Sequence, residues 1–324
     1  MSVGRIGVMT SGGDAPGMNA AVRAVFRMGS HLGLEVVGVQ DGYQGLLNGQ
    51  IWAVSDQQLD GIERRGGTIL GTSRSAEFRT PRGLDQALSQ LDQHNIEGLI
   101  VIGGEGSFQG ALTLHRRGFQ VIGVPASIDN DVGGTAVAIG VDTAINTALD
   151  AIDKLKDTAA AFRRAFVVEV MGRSSGWIAL QAAIAAGADM VLIPEIPCEV
   201  DMVMQRLRQA KASGKSHFIL VAAEGIQPTA TEIGALITQR EDVPYESRLT
   251  ILGHIQRGGS PTAFDRLLAA RLGARAVEEL AAGRPGTVVG LRSMQTVTTP
   301  LEDATKEPLQ FNPETYRFAE ILAG

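Results

Sequence analysis

The sequence lacks most of the features that mark several classes of protein. It has one cysteine among 324 residues, Cys198, so it has no internal disulfide framework and fits a reducing compartment such as the cytoplasm. No spacing of cysteine and histidine typical of a zinc site occurs. The net charge of −6, from 29 basic and 35 acidic residues, argues against a protein that binds nucleic acid over a broad surface.

Long hydrophobic runs are also missing. The most apolar stretch, residues 178–194, is interrupted by Gln181 and Asp189, so we expect no membrane-spanning helix and no membrane partner. The chain enters a strand-like run at residues 5–9 without the apolar segment of a signal peptide. These features together predict a cytoplasmic globular protein.

Glycine, in contrast, is abundant, with 40 residues against an average of roughly 7%. Short apolar runs of strand length alternate with stretches of helical periodicity. The runs are nearly continuous in Val, Ile and Leu, which is typical of strands buried on both faces of a parallel sheet. The predicted strands are Arg5–Met9, Glu35–Val39, Gly98–Ile102, Gln120–Val124, Ala165–Val170, Asp189–Ile193, His217–Ala222 and Thr287–Leu291.

The intervening stretches are amphipathic. One of them, Asp142–Lys156, places four aliphatic residues on one helical face: Ile145, Leu149, Ile152 and Leu155. The repeated order of strand and helix predicts an α/β fold with two doubly wound, Rossmann-like parallel-sheet domains facing a cleft. From the residues alone, the first boundary is expected near Gly133 and Gly134.

Three turns that follow predicted strands carry the chemistry. Two are rich in glycine: residues 10–17, which precede the predicted helix Met18–Gly29, and residues 103–107. Such turns let the backbone and a helix N-terminus approach a phosphate. The third turn ends in Asp129 and Asp131, and carboxylates there can accept a proton or help to hold a cation. The sequence therefore predicts a polyphosphate site.

The type of polyphosphate stays open at this level. No Walker A loop occurs: Gln209 stands where the first glycine would be needed before Gly214, Lys215 and Ser216. The dinucleotide fingerprint is incomplete as well, because Gln109 replaces its third glycine. A nicotinamide-dependent dehydrogenase remains an alternative, as does a sugar-binding module without catalytic activity.

The second half of the chain is suited to a phosphorylated small molecule. Glu224 follows a predicted strand and could accept hydrogen bonds from sugar hydroxyls. Arginine forks match phosphate oxygens well. Four arginines and a histidine lie beside element ends or glycine turns: Arg164, Arg173, Arg248, Arg257 and His254.

At this point several motifs together resemble the bacterial ATP-dependent 6-phosphofructokinase family over essentially the whole chain. The motifs lie at residues 10–20, 66–71, 103–107, 128–131, 167–173 and 252–261. The resemblance implies transfer of the γ-phosphoryl group of Mg-ATP to the 1-hydroxyl of fructose 6-phosphate. It also implies an ATP-binding domain at residues 1–139 plus 252–304 and a sugar-phosphate-binding domain at residues 140–251 plus 305–324.

The resemblance further implies roles for individual residues. Asp129 would be the general base, with Ser127 near the attacking oxygen. Gly12 would offer its N–H to the phosphates, while Arg74 and Arg173 would neutralise the transferred group. Glu105, where the family usually has Asp, and Asp131 would hold Mg2+. ATP would contact Gly12, Arg74, Ser75, Gly104, Glu105, Gly106 and Ser107. The sugar phosphate would contact Ser127, Ile128, Asp129, Arg164, Met171, Gly172, Arg173, Glu224, Arg248, His254 and Arg257.

The phosphoryl donor is read from two positions. Pyrophosphate-dependent members carry Asp where this chain has Gly106 and Lys where it has Ala126. An aspartate would crowd and repel the α-phosphate of ATP. These positions favour ATP, and a pyrophosphate-dependent enzyme is the alternative.

The resemblance also implies a homotetramer in which Arg164 and Arg248 reach the substrate of a neighbouring subunit. It implies further that ADP or phosphoenolpyruvate binds between subunits and regulates the enzyme. Asp56 and Ser213 stand where the family usually has Arg and Lys, so we expect an altered or reduced allosteric response. The effector residues would be Arg23, Arg27, Lys156, Asp189, Lys215 and His217.

Overall fold

The computed structural model describes residues 4–243, 245–306 and 311–323. The chain divides into two compact units. The first unit comprises Met1–Thr143 and Arg257–Gln310, and the second comprises Ala144–Gln256 and Phe311–Gly324. Along the sequence, the chain passes from one unit to the other a few residues after the boundaries that the resemblance implies, and the first passage, after Thr143, comes ten residues beyond Gly133.

The first unit contains a seven-stranded sheet. Its strands are β1 (Arg5–Ser11), β2 (Glu35–Val39), β3 (Ile51–Trp52), β4 (Gly98–Gly103), β5 (Gln120–Pro125), β10 (Thr287–Arg292) and β11 (Gln295–Pro300). They lie in the order β11-β10-β5-β4-β1-β2-β3. All neighbouring pairs are parallel except the outermost pair at each end, β10 with β11 and β2 with β3.

The second unit contains a four-stranded parallel sheet. Its strands are β6 (Ala165–Val170), β7 (Met190–Leu192), β8 (Phe218–Ala223) and β9 (Ser247–Ile251). They lie in the order β7-β8-β6-β9. The predicted α/β fold with parallel sheets is thus confirmed, and each of the predicted strands occurs within two residues of its expected ends.

Three strands were not predicted from the sequence, β3, β9 and β11, and each lies at the edge of its sheet. Edge strands lack the continuous apolar run on which the prediction relied. In β9 and β11 most side chains are exposed or half-buried, and β3 has only two residues. In β9, the alternation of Arg248 and Thr250 with Leu249 and Ile251 is the signal that would have found the strand.

Most helices lie in the connections between strands, and α11 and α12 follow the last strand, β11. The two helices predicted near Met18 and Asp142 are confirmed and continue to His31 and Phe162. Among the described residues, no helix is both long and apolar enough to cross a lipid bilayer. The helices are α1 (Met18–His31), α2 (Gly42–Leu47), α3 (Asp56–Leu59), α4 (Pro81–Gln93), α5 (Glu105–Arg116), α6 (Val141–Phe162), α7 (Trp177–Ala186), α8 (Val200–Ala212), α9 (Ala230–Gln239), α10 (Ala263–Ala281), α11 (Leu301–Ala304) and α12 (Pro313–Ala323).

The centre of the first unit is built from β1, β4 and β5. All six residues of β4 are buried, as are six of the seven in β1. Side chains on both faces pack against helices, and Phe108 of α5 and Leu91 of α4 are among the largest that are fully buried. This burial makes the three central strands a rigid base for the turns that leave their carboxyl ends.

A buried carboxylate in the first unit ties α10 to the start of α6, whose first residues, up to Thr143, belong to the same unit. Asp265, in the first turn of α10, is fully buried and accepts hydrogen bonds at the N-terminus of α6, from Gly140 N (2.9 Å), Thr143 N (2.8 Å) and Thr143 Oγ1 (2.6 Å). Burial raises the pKa of the Asp265 carboxyl above its usual range, although the hydrogen bonds oppose the shift. The positive end of the α6 dipole favours a negative group at this position.

Replacing this carboxylate is expected to destabilise the protein. Asp265→Ala leaves three buried donors without their acceptor, and we expect a loss of about 3 kcal/mol in the free energy of unfolding, measured by urea denaturation. Asp92→Ala, on the exposed face of α4, is the matched control and should change it by less than about 0.5 kcal/mol. Equal midpoints for the two variants would contradict this role of Asp265.

Candidate active site

The carboxyl ends of the three central strands of the first unit line a cavity of about 740 Å³. In the sheet register, Ser11 pairs with Gly103 and Gly103 with Pro125, so the turns that follow β1, β4 and β5 start at the same level. This is the edge at which open parallel sheets bind ligands. The three turns singled out in the sequence thus contribute to one cavity.

The first glycine turn requires its glycines for two reasons. Gly12 has a φ of +89°, a conformation that side chains with a Cβ rarely adopt. A Cβ at Gly13 would lie 2.5 Å from Nη1 of Arg257, which donates to Asp14 O at 3.1 Å. The turn therefore brings the backbone and the Arg257 guanidinium to the wall of the cavity.

The second glycine turn starts α5 at the cavity. Glu105, Gly106 and Ser107 form its first turn, and no side chain caps this end of the helix. Ser107 Oγ instead donates to Ser11 O at 2.9 Å, which ties the helix start to β1. A Cβ at Gly106 would meet no atom within 4 Å, so the cavity is open at this point. A 12-residue helix whose N-terminus lines a cavity provides a favourable site for a phosphate.

A side wall of the cavity comes from the segment that contains Arg74 and Ser75. Ser75 Oγ donates to Gln44 Oε1 at 2.9 Å and accepts from Phe78 N at 3.1 Å. Thr72 Oγ1 donates to Gly12 O at 2.7 Å, which joins this segment to the first turn. The predicted ATP-contacting residues of the first unit therefore line one cavity.

Two aromatic residues in this wall were missed by the sequence reasoning. The rings of Tyr43 and Phe78 stack with centroids 4.1 Å apart, and Tyr43 OH donates to Ser107 O at 2.6 Å. Burial raises the pKa of the Tyr43 phenol far above its usual value, so the hydroxyl remains a neutral donor. Gly110 is the sequence signal that could have indicated this contact, because a Cβ there would lie 2.6 Å from the Tyr43 ring.

The acidic turn after β5 supplies two carboxylates. Asp129 and Asp131 line the cavity together with Glu105. Ser127 Oγ donates to Asp131 Oδ1 at 2.8 Å and accepts from Asp129 N at 3.3 Å. Ser127 thus orients the carboxylate of Asp131 and fixes the backbone of Asp129.

Asn130, between these two aspartates, holds the turn in place. Its φ of +50° lies in the left-handed region, which asparagine tolerates better than most residues. Its buried amide donates from Nδ2 to Ala136 O at 3.2 Å and accepts at Oδ1 from Ala138 N at 2.9 Å. The positions of Asp129 and Asp131 therefore depend on the side chain of Asn130, which the sequence analysis did not identify as a site residue.

The donors in the cavity suit a hard cation that keeps other ligands. Glu105 and Asp131 offer carboxylate oxygens, and no group of three or more His, Cys, Asp or Glu placed to hold a metal occurs in the described parts of the chain. Mg2+ is commonly bound in this way, through one or two carboxylates with water and substrate phosphates completing its coordination. The residues present therefore fit Mg2+ that arrives with a nucleotide.

In the second unit, some of the predicted sugar-phosphate residues lie at the carboxyl end of the sheet. The turn at residues 171–173 follows β6, and Glu224 follows β8, with Glu224 N donating to Val170 O at 2.8 Å. Gly172 has a φ of +136°. The short 3₁₀ helix Gly253–Arg257, which carries the exposed His254, follows β9.

Two predicted residues, Arg164 and Arg248, lie at the opposite end of that sheet. Arg164 precedes β6, and Arg248 pairs with Phe166 near its start. Met171 follows the other end of the strand, roughly 20 Å away at about 3.3 Å per residue. Both arginines bind Glu246, Arg164 Nε at 2.6 Å, and together they hold the pKa of the Glu246 carboxyl below its usual range. Within the second unit they are therefore not brought together with Met171 and Glu224.

The predicted effector residues also fall into two groups. In the first unit, Arg27 Nη1 lies 2.6 Å from Asp56 Oδ1 and Arg23 Nε lies 3.3 Å from Glu63 Oε2. In the second unit, three of the residues lie around the start of β7: Lys215 Nζ is 2.6 Å from Asp189 Oδ1, and Lys156 donates to Gly187 O at 3.1 Å. His217 Nδ1 instead contacts Ser216 Oγ at 3.1 Å.

Comparison with known proteins identifies relatives along the whole chain. The model of the family described as phosphofructokinase matches residues 5–280. The ATP-dependent 6-phosphofructokinase of Thermotoga neapolitana is 49% identical over 320 residues, which cover 98% of this chain and 99% of the relative. The ATP-dependent 6-phosphofructokinase 1 of Thermus thermophilus is 48% identical over 320 residues, with the same coverage of both chains.

Solved structures give the same picture at the level of the fold. Phosphofructokinase from Saccharomyces cerevisiae is 35% identical with a TM-score of 0.86, covering 98% of this chain and 46% of that chain. A pyrophosphate-dependent phosphofructokinase from Marinobacter aquaeolei has the same TM-score of 0.86 at 20% identity, covering 96% of this chain and 86% of its own. At this identity the second structure supports the fold alone.

The role of Asn130 in the acidic turn can be tested by stability measurements. Asn130→Ala removes two hydrogen bonds and replaces asparagine by a residue that tolerates the left-handed region less well, so we expect a loss of about 2–3 kcal/mol in the free energy of unfolding. Asn130→Gly removes the same bonds without the steric cost and should lose about 1 kcal/mol less. Urea denaturation measures both, and an alanine variant as stable as the wild type would show that the side chain does not hold the turn.

Proposed function

Because this chain belongs to the phosphofructokinase family, we propose that it is an ATP-dependent 6-phosphofructokinase, a glycolytic kinase. It transfers the γ-phosphoryl group of ATP to the 1-hydroxyl of fructose 6-phosphate and gives fructose 1,6-bisphosphate and ADP. The observation that carries this proposal is the cavity of the first unit, in which a helix N-terminus, a glycine turn and three carboxylates line the same space. Relatives at 47–49% identity that bear this name support it.

The nucleotide phosphates are assigned to the first unit. The start of α5 and the Gly12 turn provide backbone N–H groups, and Arg74 and Ser75 lie in the wall beside them. Mg2+, bound with the nucleotide, would shield the phosphate oxygens and draw charge from the transferred group. Glu105 and Asp131 are the residues assigned to hold it.

The acceptor hydroxyl is assigned to Asp129. A carboxylate at this position can accept the hydroxyl proton as the oxygen attacks phosphorus. Ser127 supports the reaction by fixing the turn on both sides of Asp129. Arg74 and Arg173 would neutralise the charge of the transferred group, since phosphoryl transfer depends mainly on positioning and on electrostatic stabilisation.

The sugar phosphate is assigned through the family resemblance to residues of both units. From the first unit these are Ser127, Ile128, Asp129 and Arg257. From the second they are Met171, Gly172, Arg173, Glu224 and His254. Arg164 and Arg248, at the far end of β6, are proposed to serve the substrate of a neighbouring copy within a homotetramer. In the second unit they lie at the end of β6 opposite to the Met171 turn, which is why a neighbouring copy is proposed.

The pyrophosphate-dependent alternative is less consistent with the cavity. A Cβ at Gly106 would meet no atom within 4 Å, so the space needed by the remainder of a nucleotide is open. Ala126, the second discriminating position, also lines the cavity and adds no charge. A dehydrogenase, suggested by the incomplete glycine fingerprint, is not supported by the relatives. We propose the cytoplasm as the location of the enzyme.

The donor is tested by steady-state turnover of fructose 6-phosphate with ATP or with pyrophosphate. We expect turnover with ATP in the presence of Mg2+ and a kcat/KM with pyrophosphate at least about 100-fold lower, equivalent to about 2.7 kcal/mol. A preference for pyrophosphate would overturn the assignment of the donor. Failure of both donors would instead support a sugar-binding module.

The assigned base is tested by Asp129→Asn. This change preserves size and removes the proton acceptor, so we expect kcat to fall by at least about 100-fold while the KM values for both substrates change little. Asp92→Asn, on the surface of α4, is the control and should retain wild-type turnover. An Asp129→Asn enzyme with undiminished kcat would show that the base lies elsewhere.

A weak response to anionic effectors is proposed from the pairing of Arg27 with Asp56. The aspartate neutralises a cation that an anionic effector would need, so ADP and phosphoenolpyruvate should act weakly on the wild type. Asp56→Arg should lower the concentration of either compound that gives a half-maximal shift in the KM for fructose 6-phosphate, by about fivefold, the scale of about 1 kcal/mol. Asp60→Arg, next to α3, makes the same change in charge and should have no effect. Identical responses in the three proteins would contradict the proposal.

A further inference from the structure

Gln256 occupies a place in the second unit that none of the assignments above explains. Its side chain is fully buried, although the residue belongs to a short 3₁₀ helix that begins at Gly253 and includes the exposed His254. It stands between two residues assigned to the sugar phosphate, His254 and Arg257. The side chain points inward where both of these neighbours have exposed or half-buried side chains.

The buried amide reaches a second assigned segment. Met171 N donates to Gln256 Oε1 at 2.8 Å, a contact between residues 85 positions apart in the sequence. Met171 is the first residue of the turn at residues 171–173. Gln256 thus joins the segment after β9 to the turn after β6. A backbone hydrogen bond, from Leu252 N to Glu169 O at 3.0 Å, lies beside this contact.

The opposite side of the turn is fixed by backbone. Gly225 N donates to Gly172 O at 3.1 Å, and a Cβ at Gly225 would lie 1.9 Å from Arg173 O. The turn is therefore held between the backbone that follows β8 and the amide of Gln256. Loss of the amide would leave Met171 N, at the start of the turn, without its acceptor.

The amide nitrogen of Gln256 indicates that glutamine has a functional role at this position. Gln256 Nε2 is buried and has no hydrogen-bond partner among the described residues. A buried donor without an acceptor is unfavourable, and a side chain such as methionine would fill a similar volume without one. The advantage of glutamine at this position is consequently its oxygen, which is directed at Met171 N.

We propose that Gln256 is a positioning residue for the sugar phosphate, through its hydrogen bond to Met171 N. The proposal rests on the function proposed above. Gln256 holds the turn at residues 171–173 in the conformation that binds fructose 6-phosphate, and it has no part in binding ATP. Replacing Gln256 should therefore weaken the binding of the sugar phosphate and leave the binding of ATP unchanged.

The test compares the KM for fructose 6-phosphate with that for ATP. Gln256→Met removes the acceptor at nearly constant volume and should raise the KM for fructose 6-phosphate at least tenfold, with the KM for ATP within twofold of the wild type. Gln256→Glu keeps an acceptor for Met171 N, so its KM should lie closer to the wild type than that of the methionine variant. This rescue is a result that a merely structural role would not give.

Two controls separate positioning from loss of stability. Ile219→Val, in the buried strand β8, lowers stability without touching the turn and should leave both KM values unchanged. Gln205→Met makes the same exchange of side chains on the exposed face of α8. If the methionine variant of Gln256 does not fold, Gln256→Asn is tested in its place. The amide of asparagine is one methylene too short to reach Met171 N, so the same rise in the KM for fructose 6-phosphate is expected.

A KM for fructose 6-phosphate within twofold of the wild type, in either the methionine or the asparagine variant, would overturn the proposal even if the melting temperature fell. Its failure is distinguishable from failure of the proposed function. Wild-type turnover with ATP establishes the function independently of any variant. A wild type that neither turns over nor is thermally stabilised by fructose 6-phosphate would contradict both.

Discussion

The candidate site depends on the alignment of three strand ends. Ser11, Gly103 and Pro125 lie side by side in the sheet, so the turns that follow them open into one cavity. The approach is close: a Cβ at Gly103 would lie 2.4 Å from Ser11 O. Buried side chains on both faces of these strands pack closely against helices, and a shift in register would disrupt that packing. The chemistry of the site is thus a consequence of the packing of a parallel sheet.

Within this frame the polar side chains serve mainly to hold backbone in place. Ser107 binds the end of β1, Thr72 binds Gly12 O, and Asn130 spans the acidic turn. Phosphoryl transfer makes few demands on covalent chemistry and many on position, since misplacement of charged groups by an ångström reduces their effect steeply. A cavity whose walls are fixed by hydrogen bonds to backbone atoms suits that requirement. Gln256 fits the same pattern, because it too forms its hydrogen bond with a backbone atom, Met171 N.

Much of this arrangement follows from the sequence, and the remainder does not for identifiable reasons. The central strands and the turns after them were predicted, because continuous apolar runs and glycine clusters are local signals. The edge strands β9 and β11 were missed because half-exposed strands carry no such run. Tyr43, Asn130 and Gln256 were missed because their partners lie 64, 6 to 8 and 85 residues away in the sequence. A local pattern cannot show which distant backbone atom a buried amide or phenol will meet.

The same distinction applies to the arginines, whose ligand-binding capacity depends on counterions that the sequence does not reveal. Arg27 has one carboxylate partner, Asp56, so the pair is neutral and offers little to an anion. Arg164 and Arg248 share a single carboxylate, that of Glu246, and the group of three keeps a positive charge. Exposed ion pairs of this kind contribute only about 0.2–1 kcal/mol each, so a phosphate with two negative charges can displace the shared carboxylate and gain charge-assisted bonds to both guanidinium groups. Two sets of arginines that look equivalent in the sequence therefore differ in what they can bind: the pair at Glu246 remains suited to a phosphorylated ligand, whereas Arg27 has already been neutralised by the chain itself.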